Sequence, residues 1–576
     1  MRKQMKKYFC CIILTFFTWN IVECFAGQFV GKTGSAELRE RVYVQTDKQL
    51  YLAGEPVLMK VLTTDTEQIP LTFSKIAYVE LIGDSVAQAQ IKIELTGGIG
   101  TGRMQLAADL PTGYYRLIAY TQFMRNEGVD VFFEKNIAIV NTFVSGYHPE
   151  DAEQVAENHI SPAEETGSGT VMLQPDKANY STRDHGELII SGLPEKVHTL
   201  SVSVAGKDFV SVGESDISTF QKNRTKKSTK FTGEFLPEYE GHIVTGKIID
   251  NQTGMAGANE LLAAGLAFPS EGIRFFAAQK SNVEDVRFFT SNISGMNEIA
   301  TVVYNTNENY RVEIQSPFVN RYASETMPAL RLDSAYFGRL LHRSVALQVF
   351  HYFSEDLSKN RNIPEQYLKM KPTWSYLLDE YTRFTTMREV FIEFIIGARF
   401  RKNANKQEIS VLVKRGNYYN YGMMPLVMLD GVPVSDHDAI YNYDPLTVER
   451  INIYYGPCVL GGYMFDGIVE MTTYRRLHQD LHLSKSSQIL TYEGPQLPYR
   501  LDTPDYSEEK NRRSRMPDGR HTLLWNPDVC PDGKTSIRLP FDTSDLTGEF
   551  QATVEGVTED GQFIYTTAVF KVEDNT

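Results

Sequence analysis

Cysteine is scarce. The chain has five in 576 residues, and Cys10, Cys11 and Cys24 all fall within the first 26. Only Cys458 and Cys530 lie further on, which excludes a disulfide framework and leaves either one bridge or two unrelated buried thiols. Basic residues are outnumbered, 58 Lys and Arg against 72 Asp and Glu, for a formal charge of −14. That balance disfavours nucleic acid and direct adsorption to anionic lipid. After the amino terminus no apolar run reaches about 18 residues, so no helical membrane span is expected there. With 42% hydrophobic and 23% charged residues, disorder cannot dominate the chain. A prior of about 100–200 residues per domain gives roughly three to five domains.

The first 26 residues have the layout of an export signal. Arg2, Lys3, Lys6 and Lys7 precede an apolar core from Tyr8 to about Trp19, and Cys24-Phe25-Ala26 places small residues for cleavage after Ala26. Removing them takes away four basic residues and one acidic one, and the formal charge moves from −14 to −17. Cys24 also offers a lipidation point that would tether the body to a membrane, although Glu23 before it is neither small nor apolar.

Internal similarity organises the rest. Gln45-Thr46-Asp47-Lys48-Gln49-Leu50-Tyr51 and Gln174-Pro175-Asp176-Lys177-Ala178-Asn179-Tyr180 share Gln-x-Asp-Lys-x-x-Tyr, and each runs into a polar turn and an apolar strand. The pattern reads as strand, turn, strand, with Asp making turn hydrogen bonds and Tyr covering a sheet edge. A second pair links Asp109-Leu110-Pro111-Thr112-Gly113 and Asp545-Leu546-Thr547-Gly548. Tyr115, Leu117 and Ala119 after the first, and Phe550, Ala552 and Val554 after the second, alternate as half-buried strands do. These patterns predict a mainly β, multidomain fold of tandem Ig-like sandwiches. The polar stretch 148–169 is a linker, and the apolar spacing of Leu332 to Phe353 predicts an amphipathic helix capped by Asp333 or Ser334. Thr386 with Glu389 predicts a capping box for a second helix that Gly397 ends.

Tyr43-Val44-Gln45-Thr46-Asp47-Lys48 and Leu52-Ala53-Gly54-Glu55 resemble the amino-terminal sandwiches of macroglobulin-like proteins. Pro425 to Val434, Val448 to Ile453, Gly456-Pro457 and Phe465 to Thr473 resemble, in that order, the α+β plug domain of TonB-dependent outer-membrane receptors. Gly241 to Gly254 resembles the regulatory sandwich attached to some carboxypeptidases. The whole order resembles a group of Bacteroidetes envelope proteins that join macroglobulin-like sandwiches to a plug-like domain. The expected layout is a signal peptide at 1–26, a macroglobulin-like sandwich at 36–146, an acidic linker at 147–169 and a second macroglobulin-like segment at 170–230. A third sandwich at 236–320, a helical connector at 321–384, the plug-like domain at 385–474, a connector at 475–520 and a carboxy-terminal sandwich segment at 521–576 complete it. The departures from these families matter. About a hundred residues follow Tyr474, too few for a receptor barrel of strands about 9–11 residues long, and the Cys-Gly-Glu-Gln thioester of a macroglobulin trap is absent.

No catalytic set emerges. His478 and His482 lack the glutamate of a zinc-protease helix between them, and a solvated surface pair is expected. Asn526, Asp528, Asp532 and Gly533 miss the calcium-loop spacing and read as a turn. Asp430-Gly431 reads as a hairpin turn. Gly456, Gly461, Gly462 and Gly467 are followed by no Gly-Lys-Ser/Thr and serve tight turns. Catalytic, cofactor and metal residues are therefore none, and no cofactor is expected. Tyr418, Tyr419, Asn420 and Tyr421 form a polar-aromatic stretch suited to a contact loop. The resemblance implies a non-enzymatic, exported scaffold or interaction protein in the periplasm or at the outer membrane. Its partner would be an envelope protein, a barrel receptor among the candidates, and not nucleic acid. An accessory of nutrient import binding a peptide or glycan, a macroglobulin-like protein without thioester, and a metal-dependent hydrolase are the alternatives, the last the least supported.

Overall fold

The computed structural model describes residues 38–143, 170–207, 216–226, 228, 230–256, 262–269, 272–280, 285–304, 310–322, 330, 332, 336–353, 370–403, 406–412, 424–460, 463–476 and 481–574. The export-signal and Cys24 readings, and the caps Asp333 and Ser334, lie outside them. Glu40–Thr576 make one compact unit, and everything below concerns that unit.

The first sandwich uses β1 (Arg41–Thr46), β2 (Leu50–Leu52), β3 (Pro56–Thr64), β4 (Ile76–Gly83), β5 (Val86–Glu94), β6 (Ile99–Gln105), β7 (Gly113–Tyr120) and β8 (Phe133–Val140). One sheet runs β1-β3-β6 and the other β2-β8-β7-β4-β5, with β2 and β8 parallel. Between β4 and β5 the chain reverses on Asp84 and Ser85, both at positive φ (48° and 66°), the two-residue turn that matches strand twist. The core between the sheets includes Val44, Met59, Val79, Leu117 and Ile137.

The next elements are β9 (Met172–Pro175), β10 (Asn179–Ser181), β11 (His185–Ser191), β12 (Val197–Gly206) and α1 (Asp216–Thr225). A third sandwich follows, built from β13 (Ile243–Asp250), β14 (Ala263–Ala267), β15 (Phe275–Ala277), β16 (Gln279–Lys280), β17 (Asp285–Phe289), β18 (Met296–Tyr304) and β19 (Tyr310–Ile314). Helix α2 (Phe337–Phe353) leads to a fourth module. That module holds β20 (Trp374–Leu377), α3 (Met387–Glu393), β21 (Ala398–Asn403), β22 (Lys406–Val411), β23 (Leu426–Leu429), β24 (Val432–Pro433), α4 (His437–Tyr441), β25 (Val448–Leu460) and β26 (Tyr463–Thr473). The chain ends with β27 (Ser487–Glu493), α5 (Glu509–Arg512), β28 (Thr522–Asn526), β29 (Ser536–Asp542), β30 (Gly548–Thr558) and β31 (Phe563–Glu573).

Strand order corrects the expected layout. Segments 170–230 and 521–576 are not two sandwiches but one, with sheets β9-β11-β29 and β10-β31-β30-β12-β28. Each strand has a counterpart in the first sandwich in the same position, down to the parallel pair β10 and β31. The third sandwich and the fourth module are thus inserted between the fourth and fifth strands of the second sandwich. The physical reason is edge completion: without β28 to β31, β12 would leave Leu200, Val202 and Val204 uncovered. Segment 475–520 is likewise no free connector. Its β27 adds an edge strand to the third sandwich in the order β15-β14-β18-β27, opposite the sheet β16-β17-β13-β19. Its Gln496 then brackets Arg103 of the first sandwich, accepting from the backbone N–H (3.0 Å) and donating to the carbonyl (2.9 Å). The half-buried reading of β7 also needs revision, because Arg116, Ile118 and Tyr120 are buried too. Tyr120 donates to Glu80 (2.6 Å) and accepts from the Val319 N–H (2.9 Å) beneath the segment following the third sandwich.

The repeated motif builds the same clamp twice. Tyr51 donates to Asp47 Oδ1 (2.8 Å), which also accepts from the Leu58 N–H (3.1 Å). Tyr180 donates to Asp176 Oδ1 (2.6 Å), which accepts from the Glu187 N–H (2.9 Å). Asp47 does more: its Oδ2 accepts from Thr522 of the second sandwich (2.7 Å) and from Lys48 (3.0 Å). Asp47→Ala is therefore expected to cost about 3 kcal/mol or more, and Asp176→Ala about 1–2 kcal/mol, since stranding buried donors costs more than losing exposed bonds. Denaturant unfolding of both variants measures this, and equal losses would contradict the shared role of Asp47.

Polar and apolar locks join the modules. Tyr43 donates to the buried Glu555 (3.1 Å), and Phe220 of α1 packs on Tyr43 and Phe563. Tyr78 of the first sandwich donates to both oxygens of Glu238 (3.0 Å each), which also meets His242 Nδ1 (2.8 Å) of the third sandwich. Helix α2 begins five residues later than its apolar spacing starts, at Phe337, and sets Leu340 among Leu50, Leu52, Ala138 and Val140.

Candidate binding site

The fourth module explains its own apolar run. Its sheet is ordered β20-β25-β26-β23-β24, so β23 and β26 lie centrally and are covered on both faces. Val427, Leu429, Val469 and Met471 face the module's own helices, with Val390 and Phe391 of α3. Leu426, Met428 and Ile468 face the third sandwich, where Phe275 meets Phe465 edge-on at 5.6 Å. Thr386 caps the helix as expected, accepting from the Glu389 N–H (3.3 Å), but the Glu389 carboxylate meets the Thr386 hydroxyl (2.7 Å), which differs from the backbone bond of a full capping box. The helix stops at Glu393, not at Gly397. Gly397 serves packing instead, since a Cβ there would lie 2.9 Å from Ile453.

One side of the module is thus closed by apolar packing. Another side opens on a cavity of about 660 Å³, walled by Asp436, Asp438, Asn442, Tyr443 and Asp444 and, from the segment before β27, by His482, Ser484 and Lys485. Local chain geometry places these acids. Asp436 caps α4, and Asp444 caps the turn Pro445–Thr447, accepting from the Leu446 N–H (2.9 Å). Asp438 accepts from the Gln407 N–H (2.8 Å) of β22. Each carboxylate therefore holds a backbone donor with Oδ1 and is fixed as an acceptor, and these acids are not among the groups whose ligand atoms converge on a common point. Ser484, Ser435 and Ser486 hydrogen-bond one another (2.8–3.2 Å) below the rim. Behind the wall, burial pushes His437 down to about 4, although Asp436 and Asp438 pull the other way. The arrangement suits binding through hydrogen bonds more than proton transfer.

The residues singled out in the sequence fare differently. Tyr418, Tyr419, Asn420 and Tyr421 lie outside the described residues, as does His478. His482 lines the cavity. Asp430 and Gly431, at φ 49° and 79°, make the β23–β24 hairpin turn, and Asp430 accepts from the Thr473 N–H (2.7 Å) and hydroxyl (2.6 Å). Asn526 accepts from the Asp528 N–H (3.3 Å) and Asp532 sits at φ 50°, so that stretch is a turn. Cys458 is buried against the third sandwich and Cys530 is exposed, and both are free, so neither a bridge nor a pair of buried thiols forms. The sequence did not single out the acids of the cavity; in the structure Asp436 caps α4 and Asp444 caps the turn at Pro445, ordinary local roles that carry no signal of a site.

Sheet order and packing define a mainly β, multidomain protein of serial sandwiches. Among the described residues no helix is long and apolar enough to cross a membrane. No family model and no curated protein matches the chain. Among solved structures it is similar to Salmonella alpha-2-macroglobulin reacted with methylamine, at 10% identity over 94% of this chain and 40% of that one, with a TM-score of 0.24. It is similar to the native conformation of E. coli alpha-2-macroglobulin, at 11% identity, 94% and 40% coverage and a TM-score of 0.23. The E. coli adhesin FdeC matches over 48% of this chain and 65% of its own, at 10% identity and a TM-score of 0.14. The chain spans about 40% of the length of those macroglobulins.

Proposed function

We propose that this chain is an exported, non-enzymatic scaffold of a bacterial envelope that presents its fourth module, of plug type, to an envelope protein. The observation that carries the reading is the module's two-sidedness. One sheet face is fixed to the third sandwich, while α3 and the chain after it leave Ile392 and Ile396 64% and 61% exposed on the free side. The basic, apolar and small-residue order of the first 26 residues supports export. A photo-crosslinking residue at the exposed position 393 of the full chain, expressed in its own cells, should trap one discrete envelope protein. Ile392→Glu with Ile396→Glu should abolish that adduct without lowering the melting temperature. No adduct, or an adduct indifferent to the double substitution, refutes the reading. The cavity favours a second reading, an accessory that binds a peptide or glycan for import, which wild-type growth of a deletion strain on all polymeric nutrients would dismiss.

A further inference from the structure

Outside the fourth module, side chains from three separate segments meet at one edge of the second sandwich. His185 opens β11 and Asp542 closes β29, and the two residues are directly opposed across the antiparallel pair. Asp505 comes from the strap between β27 and α5. One ligand atom from each of the three lies within 4.8 Å of the others, and among the described residues this is the group of His, Cys, Asp and Glu side chains that converges so. His185 Nδ1 is 3.0 Å from Asp542 Oδ1. The carboxylates are held in place from behind: Asp542 Oδ1 accepts from the Tyr506 N–H (3.0 Å), and Asp505 Oδ1 accepts from the Ser507 N–H (2.9 Å). The basic side chains of this edge bond to groups other than the three ligand side chains: Lys177 to Asp184 (2.9 Å) and the His185 carbonyl (3.2 Å), Arg183 to Asp545 (2.6 Å), and Arg512 to the Tyr506 carbonyl.

Two carboxylates and an imidazole with no basic side chain among them form a site of one nitrogen and two oxygens with a formal charge of −2. A nitrogen ligand selects a borderline first-row ion over calcium or magnesium, which take oxygen alone. We propose that His185, Asp505 and Asp542 bind a divalent transition-metal ion, zinc being the representative, and that the ion pins the strap to the second sandwich. Zinc takes nitrogen and oxygen at about 2.0–2.2 Å, so the group must contract slightly. The exposed strap that carries Asp505 makes this adjustment together with its Ser507 turn, and solvent supplies the fourth position. A purely structural reading makes His185 and Asp542 a hydrogen-bonded pair and Asp505 a turn acceptor for the Ser507 N–H and hydroxyl, and predicts no metal affinity that Asp505 controls.

That contrast sets the experiment. Titration of metal-free full chain with zinc by calorimetry, and with cobalt(II) by visible absorption, should give one saturable site. Asp505→Ala, an exposed change that spares the fold, should weaken binding at least tenfold, and His185→Gln should do the same and shift the cobalt spectrum. Zinc should raise the melting temperature of the wild type and leave that of Asp505→Ala unchanged. Equal affinities for wild type and Asp505→Ala, or no saturable site, would overturn the proposal. The fourth-module crosslink is untouched by either result.

Discussion

Arg343→Met is expected to destabilise the chain by about 3–5 kcal/mol at neutral pH, the cost of stranding one partner of a buried ion pair. Arg343 of α2 reaches Glu55 with two donors, Nε to Oε1 (2.9 Å) and Nη2 to Oε2 (2.6 Å), and also donates to the Leu50 carbonyl (3.0 Å). Burial alone would push Glu55 up, but Arg343 and Lys48 outweigh it and hold the carboxyl at about 2. A carboxylate depressed from 4.5 to about 2 contributes about 3 kcal/mol that is present above pH 4.5 and lost as pH falls through about 2. Arg343→Met should therefore also flatten the acid limb of the stability curve. Glu55→Gln in the Arg343→Met background should recover part of the loss, because the amide needs no counter-charge. Denaturant midpoints of the wild type and the two variants between pH 2 and 7 measure this. A loss below about 1 kcal/mol for Arg343→Met would show that α2 is not anchored through this pair.

The same contact marks where sequence reasoning stops. The Asp-Lys-x-x-Tyr clamps were legible because the two bonds that both copies share lie within eleven residues: Asp47 with Tyr51 and Leu58, Asp176 with Tyr180 and Glu187; the Thr522 bond of Asp47, 475 residues away, was not. The strand signals after Gly113 and Gly548 were legible for the same reason. They even mark equivalent strands, β7 and β30. Yet the two partial repeats, at 171–191 and 545–556, are halves of one interrupted copy. Alternation along a strand says which face is buried, never which distant strand buries it. Arg343 and Glu55 are 288 residues apart, and Glu555 and Tyr43 are 512 apart, so neither pairing has a local signature. The candidate sites failed to show for a related reason. Asp436 and Asp444 are caps by spacing, and only the segment carrying His482 to Lys485 turns that capped surface into a cavity wall.

His437 should make the fourth module acid-sensitive in a way that one substitution removes. The ring is buried, and its Nδ1 accepts from the Ile409 N–H (3.0 Å) of β22. The neutral ring therefore carries its proton on Nε2, and a second proton could enter only by displacing the Ile409 donor. Burial is what lowers the ring to about 4, and the adjacent Asp436 and Asp438 offset only part of it. A histidine depressed from 6.5 to about 4 contributes about 3 kcal/mol above pH 6.5 that is lost as pH falls to about 4. His242 and His521 are lowered by burial as well and act in the same direction. Glu40 and Glu555 are raised by burial and act in the opposite one, their stabilisation being full below pH 4.5 and lost as pH rises. The wild-type curve alone is therefore ambiguous, and the informative quantity is its difference from His437→Asn. Asparagine can present its oxygen to the Ile409 N–H but does not titrate. The variant should sit somewhat lower than wild type at pH 7 and converge on it, or overtake it, at pH 4. Parallel curves across pH 4–6.5 would mean that the ring takes up its second proton without opening the module, and the link between β22, α4 and acid would fall.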